Sequence, residues 1–261
     1  MGARSMQSAA EPRATSRRAL VTIEGMSAGY NGRAAVEGVA FSLAGGQRLA
    51  LLGPNGGGKT TLLRTLLGEL RPLSGIVDLR SRCASVPQTD RSRLDYPVSA
   101  LDVALMGSLA RLAWWQRPGA GERQRAREAL GRVGLGERAG VTFGRLSAGQ
   151  RQRVLIARGL VQDADLLLLD EPFAGLDKAS AVALEGLIES LAMEGRGVII
   201  ATHDLEQARR WDLVLCLNQR QVAFGRPEAV LDRQVLEATY GGEIVEIPGA
   251  PGVGLLPPHH H

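Results

Sequence analysis

Lysine is almost missing from this chain. Of 31 basic residues among 261, only Lys59 and Lys178 are lysines. Histidine is as sparse: of four, His259, His260 and His261 close the chain after Pro257-Pro258 and read as part of a polyhistidine tag. That leaves His203 alone in the interior, too little for a His-rich metal site. The two cysteines, Cys83 and Cys216, lie far apart in apolar, strand-like stretches and read as buried free thiols of a reducing compartment. Aromatic residues make up only 4%, which argues against a base-stacking surface. No apolar run approaches the roughly eighteen residues that a membrane helix needs. The first residues carry arginine but no apolar core, so they read as a disordered arm over 1–19 and not as a secretory signal. With 44% hydrophobic and 22% charged residues, the chain has the balance of an ordinary globular protein. Its net charge of +4 belongs to arginines scattered over polar faces, as on a solvated surface near an anionic membrane.

Glycine, by contrast, is concentrated. The stretch LALLGPNGGGKTTLLRTLLG breaks an apolar run with Gly53-Pro54-Asn55-Gly56-Gly57-Gly58, then resumes behind Lys59, Thr60 and Thr61. Without Cβ atoms such a loop accepts positive φ and brings bare amides close to a ligand. The spacing Gly53-x4-Gly58-Lys59-Thr60 matches a phosphate-binding loop, with a buried strand before it and a leucine-spaced helix after it.

Further along, strands and helices alternate. Strands are expected at about 20–24, 38–43 and 48–52, near 83–88, at ADLLLLDEP, at GVIIATH, at 212–217 and up to Gly225. Helices are expected behind the glycine loop, through most of 98–134, over about 148–161, over 179–193 and over 204–211. LLLLD is apolar throughout, as suits a parallel strand buried on both faces. The class is α/β, with a mostly parallel sheet, an N-terminal β part and a mostly helical insert at about 89–160.

Asp170 and Glu171 end that buried strand, at the sheet edge where open α/β folds bind ligands. Asp170 suits Mg²⁺, directly or through water, with the Thr60 hydroxyl as a second ligand. Glu171 is then placed to polarise a water for attack on a γ-phosphate.

LSAGQRQR at 146–153, GLD at 175–177 and ATHD at 201–204 have no shared role in an ordinary phosphate-loop enzyme. Together with GPNGGGKTT, Gln88 of VPQ and LLLLDE, in this order, they resemble the ATP-binding cassette (ABC) family of ATPases over about residues 20–245. The resemblance implies a phosphate-loop ATPase core, an N-terminal antiparallel β part, a helical subdomain and a tail at 246–261. ATP and Mg²⁺ are the implied cofactors. Gly53, Pro54, Asn55, Gly56, Gly57, Gly58, Lys59, Thr60 and Thr61 would hold the phosphates, and Tyr30 would stack on adenine, its alternative being a half-buried core tyrosine. Gln88 would meet Mg²⁺ and the attacking water, and His203 would bond the γ-phosphate. Leu146, Ser147, Ala148, Gly149 and Gln150 form the signature, which would face ATP held by a second copy, and Asp177 would organise the seam of that head-to-tail homodimer. Ala148 stands where glycine is commonest, which is tolerable if its φ is negative.

A single cassette with no heptad run or Cys cluster resembles the energy subunit of a bacterial transporter, held at the cytoplasmic membrane face by a separate integral membrane permease. An extracytoplasmic solute-binding protein would be an indirect partner. The alternative class in this family, a non-transport ATPase acting on nucleic acid, would need a basic channel that the sequence does not show, so no nucleic-acid partner is expected. VPQTDRSRLDYPVSALDVALMG, DEPFAGLD and LEATYGGE resemble importers of manganese, zinc or iron, and similar strings occur in siderophore, haem and cobalamin importers. Leu101, Leu105 and Leu109 share one helical face and are explained by burial. Tyr96 and Met106 remain for a groove receiving the permease, or equally for the core.

Overall fold

The computed structural model describes residues 18–87 and 97–241, with the backbone of 245–246 and 254–255. Gln88, Tyr96, most of the expected N-terminal arm and most of the tail lie outside the described residues. Arg18 and Ala19 are already tied in: the Gly45 N–H donates to the Arg18 carbonyl and strand β1 opens at Ala19.

The chain first builds a three-stranded antiparallel sheet in the order β2-β1-β4, from β1 (Ala19–Tyr30), β2 (Arg33–Ala44) and β4 (Ser74–Leu79). Between β2 and β4 it lays down β3 (Arg48–Leu52) and helix α1 (Lys59–Leu66). The main sheet has six strands in the order β5-β6-β7-β3-β8-β9. These are β5 (Cys83–Val86), β6 (Leu166–Asp170), β7 (Gly197–Ala201), β3, β8 (Leu213–Leu217) and β9 (Gln221–Gly225). All pairs are parallel except β8 with β9.

The central strands are apolar throughout because both faces are covered. Leu49, Leu51, Leu166, Leu168, Ile199, Leu215 and Leu217 pack toward α1 and the antiparallel sheet. Their neighbours Ala50, Leu52, Leu167, Leu169, Val198, Ile200, Val214 and Cys216 pack into the other core, with the helical part. Each buried leucine contributes about 1.5–3 kcal/mol relative to exposure.

The helical part runs through α2 (Ala100–Leu105), a 3₁₀ turn at Met106–Ala110, α3 (Ala120–Arg132) and α4 (Ala148–Val161), before β6 returns to the sheet. Helix α5 (Lys178–Met193) joins β6 to β7, and α6 (Leu205–Ala208) joins β7 to β8. Helices α7 (Pro227–Val230) and α8 (Arg233–Tyr240) follow β9, and β10 (Val245–Glu246) pairs with β11 (Gly254–Leu255).

Two expectations are corrected. Strands β1 and β2 run far beyond 20–24 and 38–43, because bulges carry the pairing past their interior glycines, with shifts between Ile23 and Met26 and again to Ala28. Leu109 is exposed and not core, because α2 tightens into the 3₁₀ turn at Met106 and i, i+4 residues no longer share a face. Met106 is exposed as well, which removes its core alternative. Cys83 and Cys216 are free thiols, pushed by burial up to about 12 and about 11. Among the described residues no helix is long and apolar enough to cross a membrane.

Candidate functional site

The parallel register brings three strand ends to one edge. Leu52 at the end of β3, Asp170 at the end of β6 and Ala201 at the end of β7 are neighbours, with Asp170 opposite Ala201. Beyond Leu52 the glycine loop folds over this edge. A Cβ on Gly53 would sit 2.1 Å from the Leu217 carbonyl oxygen, so only glycine lets the loop lie against β8. Gly58, at φ 97°, is the N-cap of α1 in the left-handed region, and it hands the chain to Lys59 with the first amides of the helix uncapped by any side chain.

Below the loop lies a cleft of about 520 Å³ lined by Ala35, Pro54, Asn55, Gly56, Gly58, Lys59, Thr60, Thr61, Asp170 and Glu171. The Lys59 ammonium donates to the carbonyls of Gly53 (2.5 Å) and Pro54 (3.0 Å). Burial lowers its pKa, against the opposing pull of Glu171 and Asp170. Thr60 is exposed to the cleft, whereas Thr61 is buried in the root of α1. Glu171 adopts φ 46°, a region L-residues other than Asn and Asp seldom enter, and its N–H donates to the Ala201 carbonyl at 3.0 Å. Such a conformation costs on the order of 1–3 kcal/mol and persists because β7 holds it. Downstream, Phe173 packs on buried Trp211 with ring centroids 6.4 Å apart, which pins the Glu171–Asp177 loop.

His203 follows β7, with Nδ1 3.9 Å from Glu171 Oε1. The facing carboxylate raises the imidazole pKa above its ordinary value. At that distance the contact is electrostatic and not a formed hydrogen bond. Tyr30, at the tip of the β1–β2 hairpin, is 44% exposed, and its hydroxyl accepts from Arg64 Nη1 at 3.2 Å.

The signature forms a separate structure, and none of its residues lines the cleft. Ser147 caps α4: its Oγ accepts from the Gln150 N–H, and Gln150 Oε1 accepts from the Ser147 N–H. Leu146 is buried beneath the cap and Ser147 is exposed. Ala148 opens the helix with negative φ, so its methyl is accommodated. Gly149 is buried, and a Cβ there would lie 2.7 Å from the Ser180 Cβ of α5. Asp177 caps α5, accepting from Ser180 N–H (2.8 Å) and Oγ (3.1 Å), and the Ser180 amide in particular lowers its carboxyl pKa. The signature and the Asp177 turn therefore meet at one serine.

Two contributors escaped the sequence reading. Ala35 enters the cleft because β2 begins earlier than expected. Gln219, at φ 58°, donates its N–H to the Gly57 carbonyl and accepts from the Glu37 N–H through its own. Its only signal was the NQRQ turn before β9.

A glycine loop on a helix N-terminus, with an Asp-Glu pair at the adjoining strand end of a parallel sheet, defines a phosphate-loop nucleotide hydrolase. The ABC transporter family profile matches residues 36–174. Among curated proteins, the chain is 36% identical to the manganese transport system ATP-binding protein MntB of Bacillus subtilis, over 86% of this chain and 93% of that protein. It is 39% identical to the zinc transport system ATP-binding protein TroB of Treponema pallidum, over 86% and 88%. Among solved structures, an inward-facing metal-chelate type ABC transporter superposes with a TM-score of 0.79 at 33% identity, over 85% of this chain and 89% of that one. The chain belongs to the ABC transporter family, as an ATP-binding subunit that hydrolyses ATP to drive transport through a membrane permease.

Proposed function

We propose that this chain powers an importer of a divalent metal ion, manganese or zinc, from the cytoplasmic face of a membrane. The observation that carries the reading is the single cleft holding Lys59, Thr60, Asp170 and Glu171, in a chain similar over most of its length to manganese and zinc transport ATPases. In this reading the Gly53–Thr61 amides and Lys59 hold the phosphates, and Tyr30 stacks on adenine. Glu171 takes the proton of the attacking water, and His203 steadies the γ-phosphate. Gln88 completes this set.

Mg²⁺ fits the donors present. It needs hard oxygen ligands and is commonly held by one or two carboxylates plus substrate phosphates, so Asp170 and the Thr60 hydroxyl suffice. When bound, the ion would neutralise charge on the phosphates.

The exposed Ser147 cap, standing outside the cleft, supports a second copy packed head to tail so that each signature meets the partner's ATP. The metal itself would be selected by the permease and an extracytoplasmic binding protein. A second reading, transport of a metal chelate, is supported by the likeness to the metal-chelate type transporter. The deciding experiment is ATP hydrolysis in vesicles carrying the permease and binding protein. Stimulation by Mn²⁺ or Zn²⁺ supports the first reading, and stimulation by a siderophore-type chelate alone replaces it with the second.

A further inference from the structure

Between the 3₁₀ turn and α3 the chain reads Arg111-Leu112-Ala113-Trp114-Trp115-Gln116-Arg117. Trp114 is 92% exposed and Trp115 69%, whereas the third tryptophan, Trp211, is only 4% exposed. Indoles are among the largest apolar groups a protein can bury, and two adjacent ones standing in water mark a contact surface.

The turn is built to hold them outward. The Gln116 N–H donates to the Ala113 carbonyl at 2.8 Å, and the Ala113 N–H donates to Gln116 Oε1 at 3.0 Å. The tryptophans occupy the two central positions of this doubly bonded turn, with their rings edge to face and centroids 5.6 Å apart. Upstream, the N–H groups of Arg111 and Leu112 donate to the carbonyl of buried Ser108, which fastens the turn to the helical part. A side chain exposed to that degree stands on a convex tip and not in a groove.

Charge narrows the partner. From Met106 to Pro118 there is no acidic residue, and Arg111 and Arg117, both exposed, flank the indoles. Indoles favour the boundary between headgroups and acyl chains, while arginine seeks lipid phosphates. We propose that the Arg111–Arg117 turn is a membrane-surface contact, with Trp114 and Trp115 entering the interface of an anionic bilayer and Arg111 and Arg117 on its phosphates. The proposal rests on the reading that the chain works beside a permease, but its test needs no permease.

Because Trp211 is buried, a change in tryptophan emission on adding vesicles reports Trp114 and Trp115. The full chain is mixed with vesicles of phosphatidylcholine alone, or of phosphatidylcholine with phosphatidylglycerol, and followed by emission and co-sedimentation. The expected result is a blue shift and co-sedimentation with the anionic vesicles, weakened by high salt. Trp114→Ser/Trp115→Ser should lower partitioning about tenfold or more, and Arg111→Gln/Arg117→Gln should remove the preference for anionic lipid. ATP hydrolysis in solution should be unchanged in both variants, which separates this proposal from the ATPase reading. Equal co-sedimentation of wild type and the tryptophan variant overturns the proposal. So does a blue shift seen only when permease is present in neutral vesicles, since the indoles then meet protein.

Discussion

His203 Nδ1 stands 3.9 Å from Glu171 Oε1, each residue just beyond the end of one of two adjacent parallel strands. Neither position is free to drift, because the Glu171 N–H is bonded to the Ala201 carbonyl and Thr202 N–H to the Leu51 carbonyl. The base expected to take a proton from water and the only internal imidazole therefore feel each other's charge.

That coupling predicts a titration. His203 is raised because its charged form faces Glu171. The contribution of this pair to the folded state is thus complete below about 6.5 and is lost as pH rises through the higher folded value. Glu171→Gln should lower the His203 pKa, as followed by its imidazole NMR resonances. An unchanged titration in the variant would show that the carboxylate is not the cause.

The same variant should keep ATP binding while losing turnover by about 10²–10⁴-fold, because an amide cannot accept the proton of water. It should accumulate as an ATP-loaded dimer on size exclusion. Near-normal hydrolysis would remove Glu171 from the role of base.

Lys59→Ala and Ser147→Arg separate the two ends of the site. The first deletes the half-buried ammonium of the cleft and should abolish nucleotide binding by the dilute chain. The second alters an exposed helix cap outside the cleft, so it should spare that binding yet block dimer closure and hydrolysis. Equal loss of binding in both variants would rule out the head-to-tail arrangement.

Gly149→Ala drives a methyl into the Ser180 side chain, and overpacking of this kind costs about 1–3 kcal/mol. Ser180→Gly removes the obstructing Cβ, so Gly149→Ala should cost less in that background. Urea unfolding of the four proteins of the cycle measures the difference. Identical costs in both backgrounds would mean that this contact does not limit the packing of α4 on α5.

Much of the site was legible because its residues obey local rules. The Ser147 cap and its Gln150 partner announce α4, whose expected span of 148–161 matches the structure. The glycine loop and LLLLD need no tertiary knowledge to be read as loop and buried strand. The β1–β2 hairpin was harder, since Gly25, Gly29, Gly32 and Gly38 resemble breaks until bulges and pairing partners are seen. Leu109 misled because a change from α to 3₁₀ winding leaves no mark in the apolar pattern. Trp114 and Trp115 are visible as letters, but their exposure depends on a turn closed by the Gln116 side chain.

Gln219 bonds the phosphate loop through its backbone N–H, which donates to the Gly57 carbonyl, and the β2 strand through its carbonyl, which accepts from the Glu37 N–H. Two successive peptide groups, hinged at one Cα, thus rivet the loop to the antiparallel sheet. The hairpin that carries Tyr30 and the loop that carries Lys59 cannot be shifted separately without breaking these bonds, so the spacing between the two side chains is gauged by a turn that contains neither.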